Sequence, residues 1–391
     1  MKEGWTYKKL GEVGTFSRGI NFLKSDFVEN GFPCIHYGQI HTKLGTITRK
    51  HLTSIPENLV RKDKLASKGD IILAITSEDV EASCKSTAWL GEYDIAVGAH
   101  AAIYKHTLNP VFVSYFIQSE NFQEQKKQYV HGFKVMEIKP SDIAKITIGF
   151  PSLDEQRAIV ARLDSAFAQI DALKANAERQ LAEARRLFQK ALEEAMTPKE
   201  GWEEKTIGEI FKTYSGGTPI KSHKEYYDNG DIPWIRSGEV CQQYITECEM
   251  FITEEGMKNS SAKYYPINTV LVAMYGATAA QVGILKFEAT SNQAVCGILP
   301  NKDFVPEFIY YWFTNIQKEL AAQAQGGAQP NISQEKIKRV LIPTIPLPTQ
   351  HSIVARLDSL SAKVRELEEI EKKVITECDN MKQAILREVF E

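Results

Sequence analysis

The run from Gln156 to Ser165 returns 194 residues later as Gln350 to Ser359, with eight of its ten positions identical. A chain that repeats itself over such a distance is restricted to folds with two equivalent parts, because each copy must find an equivalent environment. The match extends through both halves. Glu3-Gly4-Trp5 opens the first and Glu200-Gly201-Trp202 the second; Leu10-Gly11-Glu12-Val13 answers to Ile207-Gly208-Glu209-Ile210. Pro33, Ile35, Gly38 and Ile40 recur as Pro233, Ile235, Gly238 and Val240. The period lies far above the ~20–50 residues of solenoids, so this is a duplicated domain pair and not a repeat array.

Each copy of the repeated run opens a long helix. Ser152-Leu153-Asp154-Glu155 has the pattern of a capping box, with Ser first and Glu three residues on. Pro198 closes the segment, and its interior is rich in the helix formers Ala, Leu, Glu, Arg and Gln. Its apolar stripe is expected at Ile159, Leu163, Ala166, Ile170, Leu173, Ala177, Ala184, Leu187 and Ala191, interrupted at Gln180. The second helix is expected to start near Pro348. Its stripe runs through Ile353, Leu357, Leu360, Val364, Leu367, Val374, Cys378, Met381 and Ile385, with Glu371 as the interruption. Sustained three–four spacing argues for coiled-coil pairing, small alanines facing larger side chains. If the two domains sit at opposite ends of the pair, the helices must run antiparallel. Helices of ~44 residues would span about 66 Å, close to two turns of B-DNA at ~34 Å each.

The halves between these helices show short apolar runs broken by turn signals, such as Ile71-Ile72-Leu73-Ala74-Ile75 and Val270-Leu271-Val272-Ala273-Met274. Each is expected to be a compact α+β domain with a mainly antiparallel, twisted sheet. One helix is expected from Val111 to Gln128 and its counterpart from Pro306 to Gln323, their aromatic clusters in the core. The expected division is 1–150, 151–197, 198–345 and 346–391.

Composition removes several function classes. No apolar run reaches 18 residues, which excludes a membrane-spanning helix, and the start lacks the apolar core of a signal peptide. A cytoplasmic location is expected. The six cysteines have neither CxxC spacing nor a histidine partner pattern, so buried or half-buried free thiols are expected and no metal site. No phosphate loop, GxGxxG, GxSxG or HExxH occurs. A chain of this size without a catalytic motif is expected to be a recognition or assembly subunit. Its net charge is −3, distributed as +3, −1, −3 and −2 over the four segments. Nucleic-acid binding must therefore come from local patches.

Three stretches have chemistry suited to DNA. After the shared Pro-x-Ile come His36, Tyr37, Gln39, His41 and Lys43 in one half, and Arg236, Ser237 and Glu239 in the other. Arg reads guanine, Gln reads adenine and Glu accepts from cytosine. A shared frame with differing polar side chains is what two heads reading different half-sites require. The second stretch is Thr76-Ser77-Glu78 against Tyr275-Gly276-Ala277-Thr278. The third is His131-Gly132-Phe133-Lys134 against Gly326 to Ser333, with Gln329 and Asn331. Lys24, Lys43, Lys221 and Lys224 are candidate phosphate contacts, and Lys134 of the third stretch is a further DNA-binding candidate.

The chain as a whole resembles the specificity (S) subunit of type I restriction-modification systems. The resemblance is carried by Ser-Gly-Gly-Thr-Pro at 215–219, Gly-Asp-Ile-Pro-Trp-Ile at 230–235, Gly-Gly-Ala-Gln-Pro-Asn-Ile-Ser at 326–333, and the two helix openings. In the first half, Phe16-Ser17-Arg18-Gly19-Ile20 replaces the first of these runs. The resemblance implies two target-recognition domains separated by an antiparallel two-helix coiled coil, each reading half of a bipartite double-stranded DNA site. It implies two methyltransferase subunits docked on the helices, and two motor–nuclease subunits in the restriction complex. It also implies no catalytic residue and no cofactor in this chain, S-adenosylmethionine belonging to the methyltransferase. A recognition subunit of a type IIB-like enzyme, which cuts on both sides of its site, is the related alternative; a coiled-coil adaptor that binds no DNA is another.

Overall fold

The computed structural model describes residues 2–323 and 331–391. It divides into two compact units, 1–178 with 372–391, and 179–371. The division runs across two 44-residue helices, Leu153–Met196 and Leu347–Phe390.

Each unit is built on a five-stranded sheet of the same order. In the first it runs Gly14–Arg18, Ala101–His106, Ile71–Ala74, Ser86–Trp89, Ile47–Thr48. In the second it runs Thr213–Ser215, Val295–Ile298, Val270–Ala273, Val282–Leu285, Tyr244–Ile245. Neighbours are antiparallel except the last pair, which is parallel in both units. The central strands are buried at every position. Ile71 and Leu73 face the main core, while Ile72 and Ala74 face a smaller one on the other side of the sheet. Val270 and Val272, then Leu271 and Ala273, repeat that division in the second unit. A strand buried on both faces shows no alternation in sequence, which is why these segments read as plain apolar runs.

The expected single helices at 111–128 and 306–323 are each two. Pro110–Gln118 stops at Ser119, whose backbone is extended (φ −70°, ψ 152°) and which starts Glu120–Lys127. The Ser119 hydroxyl donates to the Phe116 carbonyl (2.6 Å), supplying a carbonyl that helix continuation would otherwise satisfy. In the second unit Pro306–Asn315 is followed by Gln317–Ala322.

The long helices are antiparallel within each unit. In the first, Lys174 pairs with Asp379 (2.7 Å) and Lys382 with Asp171 (2.5 Å). The core there takes Ile159, Leu163, Phe167 and Ile170 from the start of one helix, and Cys378, Leu386 and Phe390 from the end of the other. The second unit's core takes Leu192, Ala195 and Met196 from one, and Val354 and Leu357 from the other. Arg185 pairs with Glu368 (2.6 Å).

The seam differs from the expected stripe. Leu173, Leu187 and Met381 are exposed, whereas Phe167 and Leu192 are buried. The reason is that lysine stems occupy seam positions an apolar count skips. Lys382 lies over the Phe167 ring, its ammonium 5.3 Å from the centroid, and reaches out to Asp171. Gln180 is exposed and belongs to no seam, while Glu371 is buried. The cysteines are free, but Cys241 is exposed rather than buried, because it lies in the loop that follows the 3-10 turn Ser237–Glu239.

Candidate nucleic-acid interface

In both units the edge strand of the five-stranded sheet leads into a tight loop. The Gly19 N–H donates to the Ala101 carbonyl (3.0 Å), and the Gly216 N–H to the Val295 carbonyl (3.1 Å). A Cβ on Gly19 would lie 2.2 Å from the Val97 carbonyl oxygen, and one on Gly216 2.1 Å from that of Ser291. Only glycine permits this approach. The loop therefore borders a cleft in each copy of the fold.

The first cleft, about 600 Å³, is lined by Arg18, Asn21, Arg61, Lys64 and His100 beside Gly19 and Ile20. The second, about 510 Å³, is lined by Lys221, Lys224, Arg236, Asn292 and Gln293, with Asp228 the one acidic group. Trp234 backs it, its indole N–H donating to the Gly217 carbonyl (2.9 Å). Each cleft gathers cationic side chains into a local patch, which is what phosphate binding would require of a chain whose net charge is −3.

The structure brings Lys221, Lys224 and Arg236 together in this second cleft, with Arg236 held by the carboxylates of Glu239 and Glu249. Tyr37 joins its neighbours His36 and His41 at ring distances of 4.6 and 6.1 Å, and His100 of the first cleft at 5.1 Å. Burial lowers the His36 pKa, and Lys24 and His100 add to that; its Nδ1 accepts the Gly38 N–H (3.2 Å). His41 Nε2 lies 3.0 Å from the Thr76 carbonyl oxygen. Ser237 is half-buried in the turn after the Pro-x-Ile strand. Tyr275 bridges to Asn331, and the Thr278 hydroxyl donates to the Tyr275 carbonyl (3.2 Å). Lys24, Lys43 and Lys134 are exposed on separate loops and turns. Gln329 lies outside the described residues.

Several candidates have side chains already engaged within the fold. Gln39 Oε1 accepts the His36 N–H (3.0 Å), and its Nε2 donates to Thr53 Oγ1 (3.0 Å). Glu239, its twin, accepts the N–H groups of Arg236 and Glu249 (2.8 Å each). Gln and Glu thus close the same turn in the two halves. Thr76 is 5% exposed, and the Ser77 hydroxyl, buried as well, donates to the Asp79 carbonyl (2.5 Å).

Sequence reasoning missed Arg61, Lys64 and His100, and it read Arg18 only as a departure from the second half's pattern. They come from separate loops and share no local motif. Placing Arg18-Gly19 over Ser215-Gly216 is the signal that would have found the first cleft. Among the described residues no group of His, Cys, Asp and Glu side chains could hold a metal ion, and no helix is long and apolar enough to cross a membrane.

The family model described as "Type I restriction modification DNA specificity domain" matches residues 2–183 and again 199–377. The chain is 30% identical to the type I restriction enzyme EcoR124I/EcoR124II specificity subunit of Escherichia coli over 224 residues, 56% of this chain and 54% of that subunit. It is 23% identical to the EcoKI specificity subunit of E. coli K12 over 430 aligned positions, 100% of this chain and 89% of that one. Among solved structures, a chain from work on complex assembly and conformational transition of the type I R-M system aligns over 100% of this chain and 98% of its own, at 19% identity and TM-score 0.81. The HsdS subunit from Thermoanaerobacter tengcongensis aligns over 100% and 97%, at 19% identity and TM-score 0.60.

Proposed function

The chain belongs to the type I restriction modification DNA specificity family, and from that premise we propose that each unit reads one half of a bipartite duplex site through its basic cleft and the loops around it. The subunit is the recognition component of a type I restriction-modification complex and carries no catalysis of its own. The observation that supports the two-head reading is the pair of clefts. Each is bordered by the glycine-bearing loop that follows the edge strand, and each gathers cationic side chains, yet the rest of the two linings comes from different segments. Phosphate contacts position a protein on DNA and side chains at base edges specify sequence, so a shared frame with distinct linings suits two different half-sites.

The residues proposed for DNA contact are Arg18, Arg61, Lys64 and His100 with Tyr37 in the first unit, and Lys221, Lys224, Arg236 and Ser237 in the second. The differing loop residues Lys24, His36, His41, Lys43, Lys134, Tyr275, Thr278 and Asn331 surround them. The long helices supply the docking surface for two methyltransferase subunits, which bring S-adenosylmethionine; two motor–nuclease subunits complete the restriction complex. Support for two equivalent docking sites lies in the repeat. Gln156, Val160 and Leu163 are buried, but Ala161, Arg162 and Ser165 are exposed, as are their identical twins Ala355, Arg356 and Ser359. Identity on an exposed surface serves a common partner. Acting on the cell's own DNA places the complex in the cytoplasm.

The test is adenine-methylation profiling of a host genome with and without this chain, followed by footprinting of the assembled methyltransferase on the site found. Two protected segments flanking an unread gap are expected. Methylation that does not depend on the chain, or one continuous protected segment, would overturn the reading. Copurification with a single fused methyltransferase–nuclease would instead identify the type IIB-like arrangement.

A further inference from the structure

We propose that Phe133, at the tip of a hairpin in the first unit, is a wedge that enters the base stack of the half-site bound there. The inference rests on the DNA-reading function proposed above. Phe133 is 93% exposed, and Val135, two residues on, is exposed as well. Exposed apolar side chains are common singly, but a phenyl ring presented almost whole to water on a reading head calls for an occupant.

The tip is anchored. His131–Gly132 pairs antiparallel with Met136–Glu137, and that strand pairs in turn with Thr76–Ser77. The Ile138 N–H donates to the Ile75 carbonyl (3.0 Å), continuing the ladder to the buried core. Gly132 has φ +142°, and a Cβ there would lie 2.0 Å from the Val135 carbonyl oxygen, so glycine is required to close this three-residue tip. Glu137 accepts a charge-assisted hydrogen bond from Arg18 (2.8 Å), and Arg18 lines the first basic cleft. The hairpin root and the cleft therefore share a residue.

That continuity selects the occupant. Between the two apolar side chains the tip carries the exposed Lys134. It thus offers a cation for a phosphate close to a ring for a base step. Architectural DNA-binding proteins use the same combination, inserting an apolar wedge between bases while cations hold the backbone. The ring partly unstacks one step and takes up the stacking itself. The opened step makes the half-site easier to read where its sequence is flexible, so Phe133 adds specificity through deformability at a position where no hydrogen bond to a base edge is needed.

The test uses the assembled methyltransferase complex and the duplex identified by methylation profiling, with 2-aminopurine placed in turn at each purine of the first half-site other than the target adenine. With the native chain, one position brightens on binding. Phe133→Ala removes that signal and weakens binding about tenfold, as expected for loss of one stacked aromatic. Phe133→Trp restores both, and the second half-site is unaffected throughout. If a bipartite footprint forms and no 2-aminopurine signal depends on residue 133, the wedge is overturned while the DNA-reading function stands. If Phe133→Ala releases the methyltransferase subunits and leaves the DNA signals unchanged, the ring is a protein contact and the proposal is wrong. Without a footprint for the native complex, the function proposed above fails first.

Discussion

The repeated run is resolved residue by residue into internal and external work. Gln156 Oε1 accepts the Asn109 N–H (2.8 Å), and its Nε2 donates to the Pro151 carbonyl (2.9 Å). Gln350 accepts the Val305 N–H (2.8 Å) and donates to the carbonyls of Ile345 (2.8 Å) and Asp303 (2.9 Å). Asp164 and Asp358 accept the hydroxyls of Tyr115 and Tyr311 (2.5 Å each), whose pKa values are raised by burial first and by the carboxylate second. Each glutamine thus ties the start of a long helix to the start of a short one. Gln350→Ala would strand a buried N–H and two carbonyls and is expected to cost about 2–4 kcal/mol. The exposed Arg356→Ala is expected to stay within ~0.5 kcal/mol. Thermal unfolding separates them, and equal losses would mean that the two residues do not divide as described. His106 offers a pH test. Its ring nitrogens are buried without a well-formed hydrogen bond, and burial lowers its pKa to about 4, opposed weakly by the Leu108 backbone. The ordinary value is ~6.5, so between these pH values the unfolded chain binds more protons than the folded one. This contribution is therefore full above pH ~6.5 and is lost as the pH falls towards 4, on the order of 3 kcal/mol at most. Urea titrations at pH 7 and 4.5 should show a smaller loss for His106→Phe than for the native chain. Identical losses would refute the assignment.

At the scale of elements, readability followed the strength of the local signal. The long helices were plain in the sequence because a cap and dozens of periodic positions agree, and the Glu155 N–H does donate to the Ser152 hydroxyl (3.3 Å). Their facing was less plain. Leu173 looked like a seam residue because the lysine beside it is polar, yet it is Lys174 whose half-buried stem holds Asp379 across the pair. The sheets were harder still. Strands of two to six residues are too short to show a period, and the central ones are buried on both faces. Sequence placed Lys221, Lys224 and Arg236 near DNA, but not in one cleft. Arg18, Arg61, Lys64 and His100 are assembled only by the sheet topology, which no window of sequence contains. The facing can be checked directly. Leu192 is 0% exposed and Leu187 is 53% exposed, five residues apart on one helix. Leu192→Ala is expected to cost about 2–5 kcal/mol through its cavity, and Leu187→Ala less than ~0.5 kcal/mol. Chemical denaturation of both variants decides it, and a large cost at Leu187 would restore the stripe read from sequence.

For the whole molecule, duplication separates what is shared from what varies. The five-stranded sheets, their parallel edge pairs and the glycine loops are common to both units, while the cleft linings are not. Specificity placed in the linings and the loops around them makes the heads exchangeable, subject to one packing condition. The first unit's core includes Ile159, Leu163, Phe167 and Ile170 from one long helix, and Cys378, Leu386 and Phe390 from the other. A transplanted first domain must present a complementary apolar face to those seven residues, or the chimera loses stability through cavities or overpacking before specificity can be read. With a donor chosen on that basis, replacing residues 1–150 by the corresponding part of another family member should change one half of the methylated sequence and leave the other as it was. Methylation profiling of a host carrying the chimera reads the outcome, and a melting curve close to the native one excludes a folding defect. If a chimera that melts normally altered both halves together, the two units would not read DNA independently, and the division of labour drawn from the twin clefts would fall.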